Sequence, residues 1–123
     1  MASAALELQG AIVAALKTNS GVSAIVGDRV FDYVPRASTG GVTAEFPFVA
    51  VADFQELTED VDCIPGAEFF ITVDAWSRAI GKPEAHRLAS AVKAALHNND
   101  LPLTDFALVM LEHDSTRTLT DPD

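Results

Sequence analysis

The residue types in this sequence that could do chemistry are three histidines, a single cysteine and a run of carboxylates, and the spacing works against each of them. His86 and His97 fall eleven positions apart in a stretch with helical periodicity. That separation is about three turns, or roughly 16 Å, too far to share a metal ion. His113 falls in a stretch with strand character. Zinc is usually held by closely spaced Cys and His pairs, which the sequence lacks, so solvated histidines are the better reading. Glu56, Glu59, Asp60 and Asp62 are of the type that binds calcium or magnesium. Their order does not reproduce the Asp-x-Asp-x-Asp-Gly spacing of a calcium loop, and a solvated loop is the simpler reading. An acidic rim facing a basic partner is the alternative. Cys63 stands inside this run, where negative neighbours disfavour its thiolate and make it a poor nucleophile. No Gly-x-Ser-x-Gly elbow occurs, and Gly40-Gly41 is not followed by the Lys-Ser or Lys-Thr of a phosphate loop. The expectation is a protein with no catalytic residue, no cofactor and no metal, whose work is done by its surfaces.

Charge and length narrow the classes further. The formal net charge is −10, from 18 acidic and 8 basic residues. A sequence-reading nucleic-acid binder needs a basic stripe to neutralise phosphates, so that class is disfavoured. DNA passing nearby is compatible, because an acidic wall repels phosphate and lets the duplex slide. The 123 residues fit one domain, spanning 1–123, and 49% of them are hydrophobic, enough for a core. One cysteine forms no internal disulfide, which fits a reducing compartment. No apolar stretch has the length to span a bilayer, and the start, Met1 to Glu7, lacks the basic region of a signal peptide. Synthesis and use in the cytoplasm, or export only inside a larger particle, is expected.

Periodicity supplies the elements that would carry these surfaces. Ala5, Leu8, Ile12, Ala15 and Leu16 share one face of a helix over 3–19, with Ser3 as N-cap. Leu6 and Val13 widen that stripe, which suits a well-buried helix, or one that also touches a neighbouring subunit. Val22, Ile25 and Val26 read as a short apolar turn closed by Gly27-Asp28. Residues 29–34 read as a strand stopped by Pro35, and 36–45 as a glycine-containing loop. A second strand is expected over 47–56, then an acidic hairpin loop over 57–66. Residues 67–76 give the clearest strand: Phe69, Ile71, Val73 and Ala75 on one face, Glu68, Phe70, Thr72, Asp74 and Trp76 on the other. Trp76, at the end of that strand, is expected to pack under the second helix with Arg78 at the surface. That helix spans 83–97, with Pro83 at its first position and Ala85, Leu88, Ala89, Val92, Ala95 and Leu96 as its apolar stripe. Residues 106–113 read as a fourth strand. The predicted fold is α+β: a small, mostly antiparallel four-stranded sheet packed against two helices, in the order α-β-β-β-α-β.

Several segments, taken together and in order, resemble a known family. They are Leu8-Gln9 with Ala14-Ala15-Leu16, then Val26-Gly27-Asp28-Arg29-Val30-Phe31-Asp32-Tyr33-Val34-Pro35. Phe46-Pro47-Phe48-Val49 opens the next strand, and Val73-Asp74-Ala75-Trp76-Ser77-Arg78 closes the third. The second helix ends Val92-Lys93-Ala94-Ala95-Leu96-His97, followed by Leu101-Pro102-Leu103, and the chain closes on Asp121-Pro122-Asp123. This pattern resembles the tail-terminator, or tail-completion, proteins of long-tailed phages and of phage-like gene transfer agents. Members of that family commonly continue past the Asp-Pro turn into a final strand, whereas this sequence stops at Asp123.

The resemblance implies a structural virion protein. It would cap the end of the tail tube as a homo-hexameric ring at the head–tail junction. The tube protein would lie on one side and the head-side connector or stopper on the other, with a central channel for DNA. The resemblance also implies assembly in the host cytoplasm. The alternative is another head–tail junction component, such as a stopper or head-completion protein; an enzyme ranks third. The candidate contact regions are the loop at 36–45, the acidic loop at 57–66 and the first helix. Because each chain carries −10, subunits repel, and raising salt is expected to favour the ring.

Overall fold

The computed structural model describes residues 3–32, 35, 37–39, 43–58, 66–79, 82–108 and 110–118. Helix α1 (Ala4–Thr18) starts where the Ser3 hydroxyl accepts the Leu6 amide. Leu8, Ile12 and Leu16 are its buried positions, one turn apart, as the sequence predicts. Asn19 ends α1 and caps the next helix, its side-chain oxygen accepting the Val22 amide at 3.0 Å. The apolar turn expected here is in fact a full helix, α2 (Ser20–Val26). That cap and two fully buried valines, Val22 and Val26, account for it. Gly27, at φ 63°, closes α2 in the left-handed region that favours glycine.

Strand β1 (Val30–Phe31) is short, and Tyr33 and Val34 of the expected strand lie outside the described residues. Strands β2 (Phe48–Thr58) and β3 (Ala67–Trp76) form the body of the sheet, and helix α3 (Pro83–Leu96) follows. The sheet has the order β1-β2-β3, with β1 parallel to β2 and β2 antiparallel to β3. Two expectations are therefore corrected: the sheet has three strands among the described residues, and three helices accompany it. The segment 106–113 joins no strand at its described positions. It is held at two points instead, by the Asn98 amide donating to the Leu111 carbonyl and the His113 amide donating to His97 Nδ1. Leu108 and Leu111 rest against the core, so the apolar run read as a strand serves a packed tail.

A bulge shapes the sheet. The register runs Val51↔Val73 and then Phe54↔Ile71, so Ala52 and Asp53 together oppose Thr72. The extra residue lets Val51 and Phe54 both face the helices. The core lies between that sheet face and the helix layer: Val49, Val51, Ile12, Leu16 and Leu88, joined by half-buried Phe69, Ile71, Val73 and Ala75. Burying a side chain such as Ile12, Leu16 or Leu88 stabilises by about 1.5–3 kcal/mol each. The tail returns across α1, where Glu7 accepts the amides of Thr104 and Asp105, and Leu101 is buried.

Candidate functional site

The helices cover only one face of the sheet. On the other face lies an aromatic cluster centred on Phe48, which is 2% exposed. Phe48 and Trp76 are cross-strand partners, and their rings stack at 6.2 Å and 21°. Phe46 and Phe31 meet Phe48 edge-on at 4.9 Å and 5.7 Å. The Arg78 guanidinium sits 4.1 Å from the Phe46 ring centroid, a cation–π contact at the rim.

Trp76 was expected under the second helix; it is 37% exposed on the opposite face. The reason is strand parity. Ala75 points toward α3, so Trp76 points away. Arg78 is exposed, as expected. Below the cluster, Phe70 and Leu57 stand out on the same face, 44% and 41% exposed. Asp74 is half-buried among them. Its loss of solvent, and secondarily the nearby Asp53 carboxylate, push its pKa above the ordinary aspartate value.

The residues singled out for chemistry are scattered. His86 is exposed on α3, and His97 accepts the His113 amide at the end of that helix. The His113 ring meets Thr116 Oγ1 at 2.6 Å. Among the described residues, no three His, Cys, Asp or Glu side chains are grouped to hold a metal ion. Glu56 is exposed on β2, while Glu59, Asp60, Asp62 and Cys63 lie outside the described residues, as does most of the acidic loop. Gly40 and Gly41 of the 36–45 loop are also outside them. Among the described residues no helix is long and apolar enough to cross a membrane.

What the arrangement offers is therefore surface: an aromatic, acidic sheet face and, among the described residues, a β3 edge that pairs with no further strand. The comparisons with known proteins agree with that character. The family model described as "Tail completion protein gp17" matches residues 10–123. The chain belongs to this tail completion family. A chain of a solved structure described as "Virion of native gene transfer agent (GTA) particle" has the same fold, with a TM-score of 0.77 and 27% identity. The match covers 91% of this chain and 80% of that one. No curated protein sequence matches this chain. Family membership makes it a structural component of a phage-type tail, consistent with surfaces rather than a catalytic pocket.

Sequence reasoning missed the outer aromatic cluster as a unit. The signal was present, since Trp76 shares strand parity with Glu68, Thr72 and Asp74 rather than with the apolar set.

Proposed function

We propose that the chain caps the tail tube as a six-membered ring and joins it to the head-side connector, leaving a channel for DNA. The observation that carries this reading is the tail completion match across residues 10–123. The 123 residues act as one domain, without catalytic group, cofactor or metal. The tube protein lies on one side and the connector or stopper on the other. A net charge of −10 supports a channel that passes DNA without reading its sequence. Assembly takes place in the host cytoplasm, before the particle leaves the cell.

The test is a producer strain lacking this chain. Heads should fill with DNA, while tails fail to stop at their proper length or to attach. Normal, joined particles would overturn the proposal. Full-length but leaking heads, with tails of normal length, would point instead to the alternative of a stopper or head-completion protein.

A further inference from the structure

The exposed charges borne by β2 and β3 are acidic and those borne by α1 and α3 are basic, with Arg78 at the rim of the sheet face and the exposed Asp105 on the tail beside α1. Strands β2 and β3 contain no Lys or Arg, and their outer face carries Asp53, Glu68 and Asp74 around the protruding Leu57, Phe70 and Trp76. The helix layer is the reverse. The exposed positions of α3 are Pro83, His86, Arg87, Ser90, Lys93 and Ala94, with no carboxylate among them. Those of α1 are Leu6, Gly10, Ala14, Lys17 and Thr18. The carboxylates these helices do contain are occupied within the chain: Glu7 by the amides of Thr104 and Asp105, Glu84 by the Ser77 hydroxyl at 2.6 Å. A chain of net charge −10 thus keeps two helices whose own exposed charges, Lys17, Arg87 and Lys93, are cationic. Large side chains protrude from the sheet, while the exposed positions of the two helices, Leu6 apart, include the small residues Gly10, Ala14, Ser90 and Ala94.

We propose that the outer sheet face of one copy docks on the α1/α3 face of the next copy, head to tail. This rests on the ring reading above and names the contact that builds the ring. Two different faces meeting in this way form a heterologous interface, the kind that closes into a ring rather than a two-fold dimer. Trp76 and Phe70 are the anchors, of the residue type that dominates interface energetics, and the charge pairs set register and exclude sheet-to-sheet contact. Seating Arg87 or Lys93 near Asp74 also restores the favourable environment that its carboxylate lacks in the single chain.

The test uses two double variants at exposed positions. The helix variant is Arg87→Glu with Lys93→Glu; the sheet variant is Asp53→Lys with Glu68→Lys. Each is supplied to a producer strain lacking this chain, alone and together, and joined particles are counted. The parent chain should restore joining. Each variant alone should lower it about tenfold or more, and the pair supplied together should recover to within about threefold of the parent. Recovery is expected because a six-membered ring of alternating variants again opposes unlike charge at every contact. A variant that supports joining as well as the parent would overturn the proposal, as would two folded variants that fail together. In the latter case the sheet face serves the tube or connector instead. Joined particles in the strain with no chain supplied would instead defeat the functional reading itself. Should a double variant fail to fold, Thr72→Cys with Ser90→Cys in a Cys63→Ser background gives an independent measurement. A short bis-maleimide should link assembled copies into a covalent ladder, and monomers only from intact particles would overturn the contact.

Discussion

Trp76 stacks on Phe48 across the β2–β3 pair, 6.2 Å between ring centroids, on the side of the sheet that no helix covers. Phe48 is almost wholly enclosed, while its partner keeps 37% of its surface in solvent. Trp76→Ala therefore removes a lid rather than a core residue. It should cost about 1–2 kcal/mol of folding stability, less than the 2–5 kcal/mol expected for Leu88→Ala, which is fully buried. Urea unfolding midpoints of the two variants measure this. A Trp76→Ala loss as large as that of Leu88→Ala would mean that the indole is buried in solution.

Asp74 gives a pH dependence with a definite sign. Burial, aided by Asp53, raises its folded-state pKa above the ordinary value. Between the two values the folded chain holds more protons than the unfolded one, so stability falls as pH rises through that interval. Above it, the charged carboxylate works against the fold. Asp74→Asn should therefore melt a few degrees above the parent at pH 7, and the gap should close as pH drops below the ordinary aspartate range. A gap that widens in acid would contradict the assignment.

The elements with a strong period were legible before the fold was known. The stripe of Leu8, Ile12 and Leu16, the start at Ser3 and the bounds of β3 follow from local spacing and capping. What was not legible depends on partners distant in sequence. Residues 106–113 begin with an apolar run that reads as a strand, but a strand exists only where another edge accepts it. Here Asn98 and His97 take up the hydrogen-bonding groups of Leu111 and His113 instead. Trp76 failed for a different reason: its face was read correctly, yet the helix was assigned to it as cover. Parity alone would have corrected that, because α3 packs on the face of Ala75 and Val73. The parallel pairing of β1 with β2 had no local signature, since it joins segments separated by the 36–45 loop.

Glu7 ties the first helix to a segment nearly a hundred residues later. Its carboxylate accepts the Thr104 amide at 2.7 Å and the Asp105 amide at 3.0 Å. Glu7→Ala leaves both amides to water and frees the return of the chain across α1. The loss should be about 1 kcal/mol, with Glu7→Gln costing less because one acceptor oxygen remains. Thermal melts of the two variants check the order, and equal losses would show that the contact depends on the full carboxylate charge rather than on a single acceptor oxygen.

The last prediction concerns the segment that reads as a strand yet pairs with none. Among the described residues, the amides of Phe106, Ala107, Leu108 and Met110 donate no hydrogen bond, and Met110 is 66% exposed. Strand β3 meanwhile has one neighbour among the described residues, β2, on one of its two edges. Hydrogen exchange on the isolated chain should divide these regions sharply. The amides of Val49, Val51 and Val73 sit in or beside the buried sheet and should exchange only with global opening. Those of residues 106–108 and 110 should exchange near the rate of an unstructured chain, while His113, held by His97 Nδ1 at 2.9 Å, is slower. Replacing His97 by Ala should then raise exchange at His113 about fivefold, the worth of one hydrogen bond of about 1 kcal/mol, and leave Val51 unchanged. Protection at 106–110 equal to that of β3 would mean that the isolated chain already carries a fourth strand in its sheet.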